Sequence, residues 1–342
     1  MECLLKQQGI PQGSCYTITD NGTKKKACEV TLRTKDNQYE RLIKSKHLSR
    51  PEDYYSVYQS GCNHDCLKCH SSEFSKRVNG QWISEDELAK IAKEYLSYVT
   101  VFEPKNRVTM WHAEDLCLHC GSCIIHGRKS KYCPGKLSTS DIVLSPQGFG
   151  PARNILAFTG GDLTYNPNYY ANVASKIKEE TDGKIRVLVE SNGYALTKKN
   201  LKTLKEGGVD SLWLDLKAYD NEIYQNLCGT PNNTVLKSVE LIVDLEFTLE
   251  ILILYIPNYV ETDQHKQIAQ LVVDVDNEIP ITLLAFFPSY KLINNRSPTF
   301  QEMMTSYYEL KAAGLKNMRL GNLGVFAKTA EQIEQIHSLK NR

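Results

Sequence analysis

Neither sign of charge is in excess in this 342-residue chain, where 41 Lys and Arg stand against 40 Asp and Glu. Without a net field, neither nucleic acid nor an anionic membrane is favoured as a partner, and such contacts would need a local patch. A long hydrophobic run is also missing. The opening fifteen residues lack a basic segment followed by an apolar one, and no stretch approaches the roughly 18 uncharged apolar residues of a membrane span. The sequence therefore reads as a soluble cytoplasmic protein with no nucleic-acid or membrane partner. The longest apolar run, Leu249 to Pro257, is broken by Glu250 and has the length of a buried parallel strand. There is no internal repeat and no low-complexity tract.

What the chain does have is cysteine, eleven in all. A reducing compartment argues against disulfides, and an odd number cannot pair completely within one chain. Seven of the eleven lie in two tight groups, which points to metal. Cys3, Cys15, Cys28 and Cys228 are dispersed and read as small core residues.

Residues 1–53 alternate in short segments with turn signals at Asp20-Asn21-Gly22 and Asp36-Asn37, predicting a small β-rich appendage. From Tyr54 to about residue 326, β-rich runs alternate with helical patterns, the signature of βα units building a parallel sheet. Strands are predicted at 54–59, 154–158, 185–190, 211–216, 249–256, 281–286 and 317–320. Helices are predicted at about 84–98, 167–180, 197–206, 234–245, 264–275 and 299–313, with a last one in 327–342. Six or seven such units predict an α/β fold, a full or partial parallel (β/α) barrel with its chemistry at the C-terminal strand ends. Regularity breaks between 102 and 152, an apparent insertion after the first barrel strand that contains Trp111-His112 and four cysteines. His112 reads either as a packing and hydrogen-bonding residue or as a site residue.

Directly after the first strand, Cys62, Cys66 and Cys69 are spaced C-x3-C-x2-C. Soft thiolates suit iron–sulfur clusters, and a [4Fe-4S] cubane ordinarily takes four of them, so three leave one iron open. A zinc knuckle with His64 or His70 as fourth ligand is the alternative. Downstream stand Thr159-Gly160-Gly161-Asp162, Ser191-Asn192-Gly193 and Asp215-Leu216-Lys217, each at the end of a successive predicted strand. Each motif is a common turn or surface sequence when taken singly. Their shared order is the specific signal.

With these motifs the chain resembles the radical S-adenosylmethionine (SAM) superfamily, in particular the activases of glycyl-radical enzymes such as pyruvate formate-lyase activase. Asn226-Leu227-Cys228-Gly229 and Phe286-Phe287-Pro288-Ser289-Tyr290-Lys291 add to the likeness, which covers residues 54 to 326. The resemblance implies a radical SAM barrel and an anaerobic oxidoreductase. Cys62, Cys66 and Cys69 would hold a SAM-binding [4Fe-4S] cluster, and reductive cleavage of SAM would yield methionine and a 5′-deoxyadenosyl radical that abstracts hydrogen from a substrate. Gly160, Gly161 and Asp162 correspond to the family's Gly-Gly-Glu, which contacts the methionine amino group, although Asp162 is one methylene shorter. Ser191, Asn192, Asp215 and Lys217 correspond to residues edging the SAM and substrate pocket. One position departs: the family places an adenine-packing aromatic before the third cysteine, where this chain has Lys68.

In the insertion, Cys117, Cys120, Cys123 and Cys133 form C-x2-C-x2-C-x9-C-P, similar to the ferredoxin run but with a longer last gap. Four thiolates saturate a cubane, so a second, auxiliary [4Fe-4S] cluster serving as conduit or staple is expected, with structural zinc as the alternative. The resemblance further implies flavodoxin or ferredoxin as electron donor and a glycyl-radical enzyme as protein substrate. Two other readings stay open: radical modification of a small metabolite or peptide, and a non-catalytic iron–sulfur carrier or zinc-stapled binding module.

Overall fold

The computed structural model describes residues 3–339. Seven strands run parallel: β1 (Tyr55–Gln59), β2 (Ile155–Gly160), β3 (Arg186–Ser191), β4 (Ser211–Asp215), β5 (Thr248–Tyr255), β6 (Ile281–Ala285) and β7 (Met318–Gly321). Each pairs with the next in chain order, so the sheet runs β1 to β7 without a crossover. Helices Pro167–Glu180, Lys198–Glu206, Asn233–Asp244, Thr262–Val275 and Phe300–Ala312 connect these strands. Every parallel strand and its helix thus lies within a few residues of its predicted place. Helix Asn221–Cys228, only two turns long, was not foreseen in the pattern; Asp220 caps its start by accepting from the Ile223 amide, and Gly229 ends it in the left-handed region.

The sheet is open. No pairing joins β7 to β1 among the described residues, and β1 instead has an antiparallel neighbour, Gln38–Leu48, which in turn pairs with Leu32–Lys35 and Gln81–Ser84. Much of the region predicted as an appendage therefore continues the main sheet, while Tyr16–Ile18 and Lys24–Lys26 form a separate hairpin. At the other end a helix spans Ala330–Leu339, starting three residues later than expected, and 340–342 lie outside the described residues. No helix among the described residues is long and apolar enough to cross a membrane.

Period-two alternation along the strands divides the core. Leu212, Leu214, Ile251 and Ile253 face the helices and belong to the large cluster between the layers. Trp213, Leu252, Ala157 and Leu188 face inward with Tyr54 and Met110 as a smaller cluster inside the curve of the sheet. Each fully buried side chain of this kind contributes roughly 1.5–3 kcal/mol of transfer free energy. Above the inner cluster the sheet curves around a cavity of about 590 Å³.

Candidate active site

The loop after β1 is held in place by a charge that neither spacing nor motif announced. Arg41, fully buried on the antiparallel neighbour, donates to the carbonyls of Thr31 at 3.0 Å, Gly61 at 3.1 Å and Gly161 at 3.5 Å, and to Gln59 Oε1 at 3.3 Å. Its guanidinium fork thereby ties the cysteine loop to the Gly-Gly-Asp loop. The two backbones approach so closely that a Cβ on Gly161 would collide with the Gly61 carbonyl, and Gly61 and Gly160 both adopt positive φ. Register does the rest: Gln59 pairs with Gly160, which brings the Cys62 loop beside Asp162.

The sequence-chosen residues converge. Cys62, Cys66, Cys69, Asp162, Asn192 and Lys217 all line the 590 Å³ cavity, as do Gly160, Ser191 and Asp215. The Asn63 amide donates to the Asp162 carbonyl at 3.1 Å, and Asn192 Nδ2 donates to Asn63 Oδ1 at 2.6 Å and lies 3.8 Å from Cys62 Sγ. Asp162 accepts from Ser191 Oγ at 2.7 Å, from the Asn192 amide at 2.9 Å and from the Thr164 amide at 2.7 Å. Lys217 pairs with Asp215. Burial opposes both charges, yet each outweighs it for the other: Asp215 lies well below the usual carboxylate range, helped by Lys68, and Lys217 is held protonated above the usual lysine value.

The remaining motif segments also reach the cysteine loop. The amides of Asp65 and Leu67 donate to the carbonyls of Cys228 and Leu227, the Lys291 amide donates to Leu67 O at 3.0 Å, and Ser289 Oγ donates to Lys68 O at 2.8 Å. Cys228 is fully buried, as expected of a core residue, but its thiol also hydrogen-bonds Cys66 and holds that thiol below its ordinary pKa. Burial instead pushes Cys62 up to about 11. His64 is not free to ligate: Nδ1 meets Asn63 Oδ1 at 2.9 Å, and Nε2 meets Thr230 Oγ1 at 2.9 Å and Tyr224 OH at 3.2 Å. His70 lines the cavity, as does Lys68, whose ammonium makes no ion pair among the described residues.

Four further thiols lie apart from this cavity. Cys117, Cys120, Cys123 and Cys133 surround a small void of their own with Lys129 and Phe149. Gly121 takes a positive φ between the second and third of these cysteines and starts the single-turn helix Ser122–Ile125. His119, in the same turn, contacts Asp53 at 2.9 Å, and Asp53 is held by Arg50 at 2.6 Å. His112 is occupied by Thr109 Oγ1 at 2.6 Å and does not line the main cavity. Cys15 packs behind the first loop, with Sγ 3.9 Å from Asn63 O.

Residues 117–272 match the family model described as the radical SAM superfamily. Just under half of the chain thus matches the radical SAM superfamily domain. The matched span opens at Cys117, downstream of Cys62, Cys66 and Cys69, and takes in β2 to β5. An AdoMet-dependent heme synthase of Oleidesulfovibrio alaskensis is 28% identical over 130 residues, which are 37% of this chain and 32% of that protein. The chain thus matches about a third of that relative's length. A domain of a pyruvate-formate lyase-activating enzyme from Bacteroides vulgatus is 20% identical, with 48% of this chain and 98% of that one covered at a TM-score of 0.42. HydG, a maturase of the [FeFe]-hydrogenase, is 14% identical, with 81% of this chain and 52% of that one covered at a TM-score of 0.48.

The radical SAM family implies an enzyme that uses a [4Fe-4S] cluster and SAM, and the residues present fit such a group. Three soft donors share one cavity wall beside paired glycines where a side chain would clash. No three or more His, Cys, Asp or Glu side chains among the described residues converge closely enough to hold a single ion.

Sequence reasoning missed Arg41, Glu52, Glu190 and Trp213, the last three of which line the cavity. For Glu190 a signal existed: a charged residue ends the apolar run Val187-Leu188-Val189, directly before Ser191-Asn192.

Proposed function

We propose that the chain is a radical SAM oxidoreductase whose Cys62, Cys66 and Cys69 hold the SAM-binding cluster. When bound, that cluster and SAM supply a 5′-deoxyadenosyl radical able to abstract hydrogen from a substrate in the cavity. The carrying observation is the convergence of four motifs, separated by up to 155 residues of chain from Cys62 to Lys217, on one cavity at the C-terminal strand ends. Asp162 keeps acceptor capacity after its three hydrogen bonds and is oriented by Ser191 and Asn192 to receive the amino group of SAM. Lys217, kept cationic by Asp215, faces the same space and suits a carboxylate.

The substrate we propose is a glycyl residue of a partner enzyme. Both segments that carry the activase likeness, Asn226–Gly229 and Phe286–Lys291, brace the cysteine loop through backbone hydrogen bonds. Cys117, Cys120, Cys123 and Cys133 would hold an auxiliary [4Fe-4S] cluster, and flavodoxin or ferredoxin is the electron donor proposed for the low-potential centre. Anaerobically reconstituted protein given dithionite and SAM is expected to release 5′-deoxyadenosine. Unchanged release from Cys66→Ala would refute the cluster assignment, and deuterium transfer into 5′-deoxyadenosine from a small metabolite but from no glycyl-radical enzyme would refute the activase reading.

A further inference from the structure

The cavity is chemically uneven along its length. The cysteine loop follows β1 at its C-terminal end, whereas Glu52 precedes β1 at its N-terminal end, and both line the same space. A five-residue strand separates them by roughly 17 Å at about 3.3 Å per residue. Beside the thiols the free charge is positive, with Lys68 unpaired among the described residues and Lys217 matched by Asp215. Deeper in, the unmatched groups are carboxyls.

Two half-buried carboxyl groups there form no ion pair among the described residues. Glu190 accepts only from neutral hydroxyls, Tyr54 OH at 2.9 Å and Thr159 Oγ1. Glu52 Oε2 is buried without any partner, and so is the indole N–H of Trp213, whose ring lines the same space. Arg319 lines the same cavity and lowers the cost of ionising Glu52, but its donors are engaged. Nε donates to Thr282 Oγ1 at 2.8 Å, Nη1 to the carbonyls of Met110 and Trp111 at 3.3 and 3.2 Å, and Nη2 to Glu250 at 3.5 Å. Lys76 is equally committed, to Asp65 and to the His64 carbonyl. Two carboxyls set within one apolar-walled space without a counterion are costly to ionise unless a ligand supplies the opposite charge. An aromatic face beside them suits a cation further.

We propose that Glu52 and Glu190 recognise a basic nitrogen, so that the group entering this cavity carries an amine or a guanidine. This rests on the reading that the SAM-derived radical acts here, and it narrows the substrate class. Trp213 stacks on the cation, and Tyr54 and Thr159 aim Glu190 at it. The group can belong to a free metabolite or to an Arg or Lys side chain near the reacting residue of a partner.

The test uses anaerobic holoprotein loaded with SAM and compares isosteres by calorimetry: n-butylguanidinium against n-butylurea, and N-acetyl-Gly-Arg-amide against its citrulline counterpart. The charged member of at least one pair is expected to bind at least tenfold more tightly, and that preference is expected to fall below threefold in Glu52→Gln and in Glu190→Gln. If the wild type binds the neutral members as well as the charged ones, the inference is overturned whatever the variants do. A stronger preference within the peptide pair assigns the group to a protein partner, and a stronger one within the free pair assigns it to a metabolite. Release of 5′-deoxyadenosine by the same preparation is measured alongside: its absence overturns the proposed function, whereas release without charge preference overturns only this inference.

Discussion

The two cysteine regions are built in opposite ways. The loop carrying Cys62, Cys66 and Cys69 is braced from far along the chain, by Arg41 on one side and by Asp162, Asn192, Cys228 and Lys291 on the other. The segment carrying Cys117, Cys120, Cys123 and Cys133 is built more locally, with a single-turn helix and a short hairpin, and is anchored through His119 to Asp53 and through Arg50 to the carbonyls of Val143, Gly150 and Pro151. Its outer side is exposed at Cys120, Ile124 and Ile125. The first region is therefore sensitive to distant substitutions, whereas the second responds mainly to its own residues.

The largest expected break in that comparison is in SAM cleavage. Cys66→Ala should abolish 5′-deoxyadenosine release, while Cys120→Ala should slow it by less than about tenfold and remove about half of the bound iron; equal losses of release would erase the proposed division of labour. Next comes the remote brace. Arg41→Met strands the carbonyls of Thr31, Gly61 and Gly161, and the folded state should lose about 3 kcal/mol, measured by denaturant unfolding. Substitution of Lys129, whose Nζ donates to Gly135 O within the insertion, should cost less than about 1 kcal/mol.

A pH scan sharpens the contrast further. Burial, with Glu52 nearby, pushes Glu190 up to about 8. Below the usual carboxylate value of 4.5 the group is protonated in both folded and unfolded chains, so its contribution is fully present there. As pH climbs from 4.5 to about 8 the unfolded chain gives up the proton while the folded one keeps it, and stability declines by on the order of a few kcal/mol. Glu190→Gln should flatten that slope in thermal melts taken across the window. The smallest effect is expected at the rim of the insertion, where Lys131 meets Glu334 at 2.8 Å with both side chains exposed. Glu334→Ala should change stability by no more than about 1 kcal/mol.

What the sequence made legible follows the same division. The parallel strands were readable because buried parallel strands are continuous apolar runs, and the site motifs because they end those runs in order. Both thiol groups were readable from local spacing alone. Arg41 was not, because a single cation between Glu40 and Leu42 looks like an exposed position on an alternating strand until its long-range partners are known. Glu52 was equally silent, since its importance comes from what fails to pair with it. The contact between Cys228 and Cys66 depends on a two-turn helix too short to register as a periodic pattern. The antiparallel strand Gln38–Leu48 was seen as β-rich, but nothing local revealed that its partner would be β1.

That last pairing has a practical consequence. Val57, at the centre of β1, is fully buried with a neighbouring strand on each side, Gln38–Leu48 and β2. Trimming the protein at the apparent domain boundary near residue 53 would turn this central strand into a bare rim with unmet amides and carbonyls, an invitation to intermolecular pairing. Expression of a minimal catalytic fragment should therefore retain everything from at least Leu32 onward, or it will yield aggregate where an active core was intended.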